Sequence, residues 1–329
     1  SRIVIVVGYE GKKLIDYIGT LNIQTPVCFV NNPIYDKTNN IYSLALAKEY
    51  LLKEDTLLME SDLIFEDSVL QILINDPRET LALVDKYESW MDGSCIKIGE
   101  NDVIEAFVPG KKFVFEDIPL YYKTVNIYKF SKHFSETHYV PFLDAYSKAL
   151  GNNEYYEQVL RVITMLDDPE IKAKKLKGQL WYEIDDLQDL DIASSMFTSD
   201  PNEKVESIQT RYGGYWRYPH LLDFCYLVNP YFPSQKLIDE MKSSFETLLT
   251  QYPSGMKVNS LLAAKNFGIS QEHILVGNGA AELIKCLMEK VNGKIGFVFP
   301  TFEEYPNRYN KKEQVIYVPK NENFAYTAD

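Results

Sequence analysis

The chain has 329 residues, 46% hydrophobic and 25% charged, with a net charge of −13. This composition predicts a globular protein long enough for two cores, and the acidic balance excludes a nucleic-acid surface, which needs a basic stripe. No long uncharged apolar run predicts a membrane span and no signal-peptide pattern opens the chain, so a cytoplasmic protein is expected. Cys28, Cys95, Cys225 and Cys286 are far apart and form no C-x-x-C pair, which implies neither a disulfide framework nor a zinc site.

Ile3–Val7 is strongly β-branched and predicts a buried strand; helical spacing follows from Lys12 to Ile18, and Val27–Val30 is the next strand, broken by Asn31-Asn-Pro33. Thr38, Asn39 or Asn40 can cap the next helix, whose apolar positions Ile41, Leu44, Ala45, Ala47 and Leu51 share a face. Capping accounts for one Asn. Thr38, Asn39, Asn40 and Ser43 together also suit a phosphate or base at the helix N-terminus.

Thr56–Met59 predicts a buried parallel strand that ends in the carboxylates Glu60 and Asp62. In open α/β sheets the ligand crevice lies beyond the carboxyl ends of the strands. Asp62 there suits Mg²⁺, which prefers carboxylate oxygen and substrate phosphates; a solvated loop carboxylate is the bland alternative. Val69–Ile74 is read as a helix and Thr80–Val84 as a strand. The loop Tyr87–Ser94 sets Trp90 beside Asp92, either a cradle for a small ammonium or a cover for a sheet edge.

Ile96–Ile98, Val103–Val108 and Tyr121–Tyr128 are further strands. Lys123 and Asn126 are an odd number of residues apart, so a regular strand would face them to opposite sides. Tyr156 and Glu157 open another helix in a polar, aromatic setting. Glu183 and Asp185 alternate on an extended segment, so both share one face ahead of a helix over Leu187–Met196. Asp186, at that helix start, also fits the helix dipole.

A polar segment with Pro201 predicts a linker over 201–210, dividing a domain of residues 1–200 from one of residues 211–329. In the second, Ser234 caps a helix, another runs from Val258 to Asn266 and ends at Gly268, and a strand over Ile274–Val276 enters Gly277-Asn278-Gly279-Ala280. Glycines at a helix start let backbone N–H groups close on an anion, although a plain tight turn has the same form. Ile295–Phe299 and Gln314–Val318 are the last strands, and Phe302 and Tyr305 follow the first of them.

The motifs Lys37-Thr-Asn-Asn-Ile-Tyr-Ser43, Met59-Glu-Ser-Asp62, Trp90-Met-Asp-Gly93 and Trp181-Tyr-Glu-Ile-Asp185, in this order and separation, resemble the cytidylyltransferases of sugar phosphates and phosphocholine. The likeness is greatest to the branch acting on phosphocholine, phosphoethanolamine or 2-aminoethylphosphonate. It implies an α/β, Rossmann-like nucleotidyltransferase domain that uses CTP and a small phosphorylated or phosphonate amine. It also implies Asp62 and Asp185 as Mg²⁺ ligands with Glu183 assisting, and Lys123 is a further catalytic candidate. Asn40 and Ser43 would sit at the nucleotide, and Trp90, Asp92, Tyr156 and Glu157 around the amino or trimethylammonium end; Asn39 and Asn126 are further candidates for substrate binding.

Residues from about 211 resemble the N-terminal part of a fold-type I aminotransferase of the histidinol-phosphate aminotransferase kind, which uses pyridoxal 5′-phosphate (PLP). That resemblance implies Gly277, Asn278, Gly279 and Ala280 at the PLP phosphate, Phe302 or Tyr305 near its ring, and a homodimer through this domain. The cytidylyltransferase resemblance further implies that the first strand and Gly-rich loop of that family, roughly 30–45 residues by the size of a βαβ unit, precede Ser1. The Schiff-base lysine would follow Asp329, so both domains are expected to be truncated and the fragment alone inactive. The rival expectation is a PLP-dependent aminotransferase or decarboxylase with a regulatory, non-catalytic nucleotide-binding domain.

Overall fold

β-Branched and aromatic runs bounded by Gly, Pro and Asn give short strands, and the apolar periodicities between them give helices. The result, seen in a computed structural model, is an α/β protein. It describes residues 1–319 except 89, 90, 92, 212, 219, 220 and 225–227, so Trp90, Asp92 and Cys225 lie outside the described residues. Two compact units divide the chain, Ser1–Asp223 and Phe224–Asp329.

The first unit runs β1 (Ile3–Val7), α1 (Gly11–Thr20), β2 (Val27–Asn31), α2 (Asn40–Leu51), β3 (Thr56–Met59), β4 (Leu63–Phe65), α3 (Asp67–Ile74), β5 (Leu81–Lys86), β6 (Cys95–Ile98) and β7 (Ile104–Val108). It continues with β8 (Tyr121–Phe130), α4 (Lys132–Phe134), α5 (Val140–Leu150), α6 (Glu157–Ile163), β9 (Lys172–Lys175), β10 (Trp181–Glu183), α7 (Leu187–Phe197) and α8 (Pro201–Gln209).

β8 organises the sheet. β5 runs antiparallel to it, shifted in register between Ala82 and Val84, and β9 is parallel to β5. Since β5 pairs with both halves of β8, the opposite edge is shared: β6 takes residues 121–123 and β3 takes residues 127–130. Apolar side chains pack both faces of this sheet. Ile41, Leu44, Tyr128, Phe130, Tyr139 and Leu160 form one layer, and Val69, Leu73, Leu83, Val125 and Trp181 another.

Three expectations for the first unit need correction. Thr56–Met59 pairs antiparallel with β8, and Met59 is exposed, so it is not a buried parallel strand. Ile3–Val7 pairs in parallel with β2 in a separate two-stranded sheet, and of its residues only Val7 is buried. The segment read as a linker is helix α8, capped by Asp200. The unit continues beyond it, with Tyr218 packed on Tyr182, Ile192 and Met196.

The second unit holds α9 (Gln235–Ser243), α10 (Phe245–Thr250), α11 (Met256–Phe267), α12 (Ala280–Lys290), β11 (Ile295–Phe299), α13 (Glu304–Arg308) and β12 (Val315–Pro319), with β11 and β12 parallel. Ser234 caps α9 and Gly268, in the left-handed region at φ 68°, ends α11, as the sequence predicts. Ile274–Val276 forms no strand; a short 3-10 turn and extended backbone lead into α12. Ile284, Met288, Phe297 and Tyr309 make the core of this unit. No helix among the described residues is long and apolar enough to cross a membrane.

Candidate active site

At the carboxyl end of β3 the chain turns through Glu60-Ser61-Asp62 into β4. The backbone fixes this turn on both sides: Glu60 N donates to Asn126 O at 3.2 Å, and Ile184 N donates to Asp62 O at 2.9 Å. Antiparallel pairing sets Glu183 of β10 opposite Leu63 of β4. Carboxylate oxygens of Glu60, Asp62 and Glu183 therefore lie within 4.8 Å of one another.

Amides and one lysine brace this cluster. Asn126 Nδ2 donates to Glu60 Oε2 at 2.9 Å and to Glu183 Oε1 at 2.7 Å. Asn40, in the first turn of α2, donates to Glu60 Oε1 at 3.1 Å. Lys123 Nζ lies 3.0 Å from Glu183 Oε2. Lys123 and Asn126 thus reach the same carboxylate, contrary to the expectation from strand alternation. Asn126 has φ 58°, and four residue steps on β8 (124–128) oppose two on β5 (82–84). This bulge resets which way the strand points its side chains.

Electrostatics follow from crowding. Burial, then the neighbouring carboxylates Glu157, Asp62 and Glu183, push the Glu60 carboxyl up to about 8. Burial raises Glu183 and Glu157 as well, opposed by Lys123. Asp62 Oδ1 is buried and has no hydrogen-bond partner. A buried unmatched oxygen among three converging carboxylates is a donor set for a hard divalent cation.

Asp185 is exposed and is not part of the three-carboxylate group. Glu183 and Asp185 instead line one cavity of about 180 Å³ with Met91, Trp181, Gln188 and Arg217. Asp186 also lines it, but its carboxylate accepts from Gln188 N and Asp189 N as the cap of α7. Asn39 is the cap of α2, accepting from Asn40 N at 2.7 Å. Ser43 accepts from the buried Asn32, which also donates to Thr38 Oγ1. Tyr156 belongs to the apolar core, edge-on to Tyr128, and its N–H donates to Asn40 Oδ1. Glu157 is buried beneath the cluster.

Sequence reasoning undervalued Glu60, although its i, i+2 spacing from Asp62 was the signal. It gave no role to Asn32, Gly93 or Thr124. A Cβ at Gly93 would stand 3.2 Å from Lys123 Nζ, so this position in the loop holds the lysine's roof.

In the second unit Glu282 reaches back so that Asn278 N donates to its carboxylate. Gly279 N-caps α12 with φ 86°, and no atom stands within 4 Å of where its Cβ would be. The glycine thus leaves open space at the start of α12. Tyr305 packs on the core of this unit, and its ring meets that of the exposed Phe302 edge-on.

Fold and site together define an α/β protein with an amide-braced acidic cluster at strand ends in one unit and a glycine-rich helix start in the other. No protein-family model matches the chain. It is 28% identical over 308 residues to CMP-5′-(3-aminopropyl)phosphonate synthase of Streptomyces rubellomurinus, covering 93% of this chain and 48% of that protein. CTP:phosphoglutamine cytidylyltransferase of Campylobacter jejuni is 28% identical over 215 residues, 58% of this chain and 80% of that one. L-serine phosphate decarboxylase of Sulfurospirillum multivorans is 32% identical over 115 residues, 33% of this chain and 29% of that one. The chain thus spans about half the length of the synthase it matches.

Proposed function

We propose that the first unit is a Mg²⁺-dependent cytidylyltransferase transferring CMP from CTP to a small phospho- or phosphono-amine such as phosphocholine, phosphoethanolamine or 2-aminoethylphosphonate. The observation that carries this reading is the cluster of Glu60, Asp62 and Glu183 with its unmatched Asp62 oxygen. The similarity to a CMP-phosphonate synthase over 93% of the chain supports the substrate class. An oxygen of the acceptor's phosphate or phosphonate forms a bond to the α-phosphorus, the bond from that phosphorus to the β-phosphate oxygen breaks, and pyrophosphate leaves. The acceptor is already an anion, so no side-chain nucleophile or base is required.

Asp62 and Glu183 would hold the cation, with Asp185 at the adjoining cavity. Bound Mg²⁺ would neutralise charge on the triphosphate as the bond to pyrophosphate breaks. Lys123 offsets the negative charge of Glu183, and Asn40 ties the start of α2 to Glu60. The cavity's carboxylates suit the acceptor's ammonium, and Arg217 suits its anionic end.

In this reading the second unit is part of a PLP-dependent enzyme of the same amine pathway, with residues 277–280 taking the cofactor phosphate once Glu282 moves aside. Bound PLP would supply an electron sink for breaking a bond at the amino-acid α-carbon. Decarboxylation of a phosphorylated amino acid fits better than transamination, since the decarboxylase similarity lies in chain segments of about this size. Loss of carbon dioxide with uptake of a proton would yield a phospho-amine for the first unit. Exposed Leu248, Leu249, Leu261 and Leu262 support pairing of two copies through this unit.

The test is pyrophosphate release by the full-length protein with CTP and Mg²⁺ against phosphocholine, phosphoethanolamine, 2-aminoethylphosphonate and phosphoserine. Turnover with one acceptor, lost in Asp62→Asn, is the expected result. Silence with every acceptor sinks the transferase reading.

A further inference from the structure

We infer that Asn126 is a positioning residue that holds Glu60 and Glu183 as one unit beside the free oxygen of Asp62, an inference resting on the cation role proposed for this cluster. Asn126 stands where the shared edge of β8 changes partner from β6 to β3. Its φ of 58° admits Gly, Asn or Asp and penalises other residues. Of those three, Gly has no donor and an ionised Asp only accepts. Asn adopts this backbone and donates to two carboxylates through one neutral amide.

Its amide orientation is fixed by its neighbours. Its Nδ2 faces Glu60 Oε2 at 2.9 Å and Glu183 Oε1 at 2.7 Å. The amide oxygen then faces Thr124, whose hydroxyl donates to it at 2.9 Å and also lies 3.1 Å from Ser94 O. Each oxygen of Glu60 is engaged, by Asn40 and Asn126, and each of Glu183, by Asn126 and Lys123. Asp62 alone keeps a buried oxygen unmatched. A neutral amide can do this without adding positive charge, which leaves the cluster's negative charge for a cation. The hydrogen-bonded line from Ser94 through Thr124 to Asn126 also ties Ser94 to the carboxylates.

The experiment measures Mn²⁺ affinity of the full-length protein by the EPR signal of free Mn²⁺, for wild type, Asn126→Gly, Thr124→Val and the double variant. Asn126→Gly keeps the left-handed backbone and is expected to weaken Mn²⁺ binding by about 10–100-fold, the usual cost of losing a group that orients metal ligands. Thr124→Val, which touches no carboxylate, is expected to weaken it less, and the double variant no more than Asn126→Gly alone, because both changes act through one amide. Affinity of Asn126→Gly within twofold of wild type, multiplied losses in the double variant, or no Mn²⁺ binding by wild type at millimolar ion would each overturn the proposal. If Asn126→Gly does not fold, Thr124→Val decides, and an unchanged affinity overturns it. Pyrophosphate assays on the same samples separate the two ideas. Wild type that binds Mn²⁺ through Asn126 yet releases no pyrophosphate loses the transferase reading and keeps the positioning role.

Discussion

Lys123 and Glu183 form an ion pair at 3.0 Å in which 1% of the lysine side chain and 16% of the glutamate side chain are exposed. Removing one partner of such a pair leaves a buried charge, which costs roughly 3–5 kcal/mol. Lys123→Met is expected to lower the unfolding free energy of the first unit, read from urea denaturation at pH 8, by that order. Burial already raises the Glu183 carboxyl, so acidification favours its neutral form, and the loss should be smaller at pH 5 than at pH 8. Equal losses at the two pH values would show that the pair is not electrostatically coupled.

Glu60 gives the fold a pH dependence of unusual sign. Its carboxyl rises from 4.5 to about 8 on folding, chiefly through burial. The native state therefore binds its proton more tightly than the unfolded chain, and stability falls with rising pH between these two values. Below 4.5 the contribution is fully present; above about 8 it is gone. Glu60→Gln should flatten this slope in denaturation curves taken from pH 5 to pH 8. A slope unchanged by the substitution would mean that Glu60 is already ionised in the folded protein at low pH.

Cation binding should reverse part of that loss. Mg²⁺ competes with protons for the carboxylates, so its stabilising effect should be greater at pH 8 than at pH 6. At a hundredfold excess over its dissociation constant a ligand stabilises by about 2.7 kcal/mol. Thermal melts with Mg²⁺ and with EDTA should differ in wild type and coincide in Asp62→Asn.

In the second unit a Cβ on Gly277 would stand 2.6 Å from Leu283 Cδ2 and 2.8 Å from Leu283 Cγ. Gly277→Ala is expected to destabilise that unit by about 1–3 kcal/mol, the usual cost of overpacking. Gly279→Ala meets no atom but carries φ 86°, so its cost should be about 1 kcal/mol of backbone strain. Melting followed by circular dichroism distinguishes the two, and a neutral Gly277→Ala would refute the close packing of this turn.

Much of the framework was legible in the sequence. β2, β6, β7, β11 and α7 fall within a residue or so of their predicted bounds, the strands because each is a short apolar run ended by Gly, Pro or Asn, and α7 because Asp186 caps its start. What failed depended on distant partners. Alternation along β8 could not anticipate Asn126, since the bulge is visible only against β5. Glu60 was legible as a carboxylate but not as the acceptor of two amides from α2 and β8. Tyr156 lies in a polar, aromatic sequence context, yet the fold carries its ring inward onto Tyr128. Glycine periodicity in 277–280 suggested a phosphate cradle without revealing that Glu282 already occupies its N–H.

The shared edge of β8 bears on how the first unit opens. Residues 121–123 are held by β6 and residues 127–130 by β3, so these two halves of one strand belong to separately attached neighbours. Local opening of the 56–59 arm need not release the 95–98 arm. Native-state amide exchange, read residue by residue, should then show two protection levels along a single ten-residue strand, with the step at Asn126.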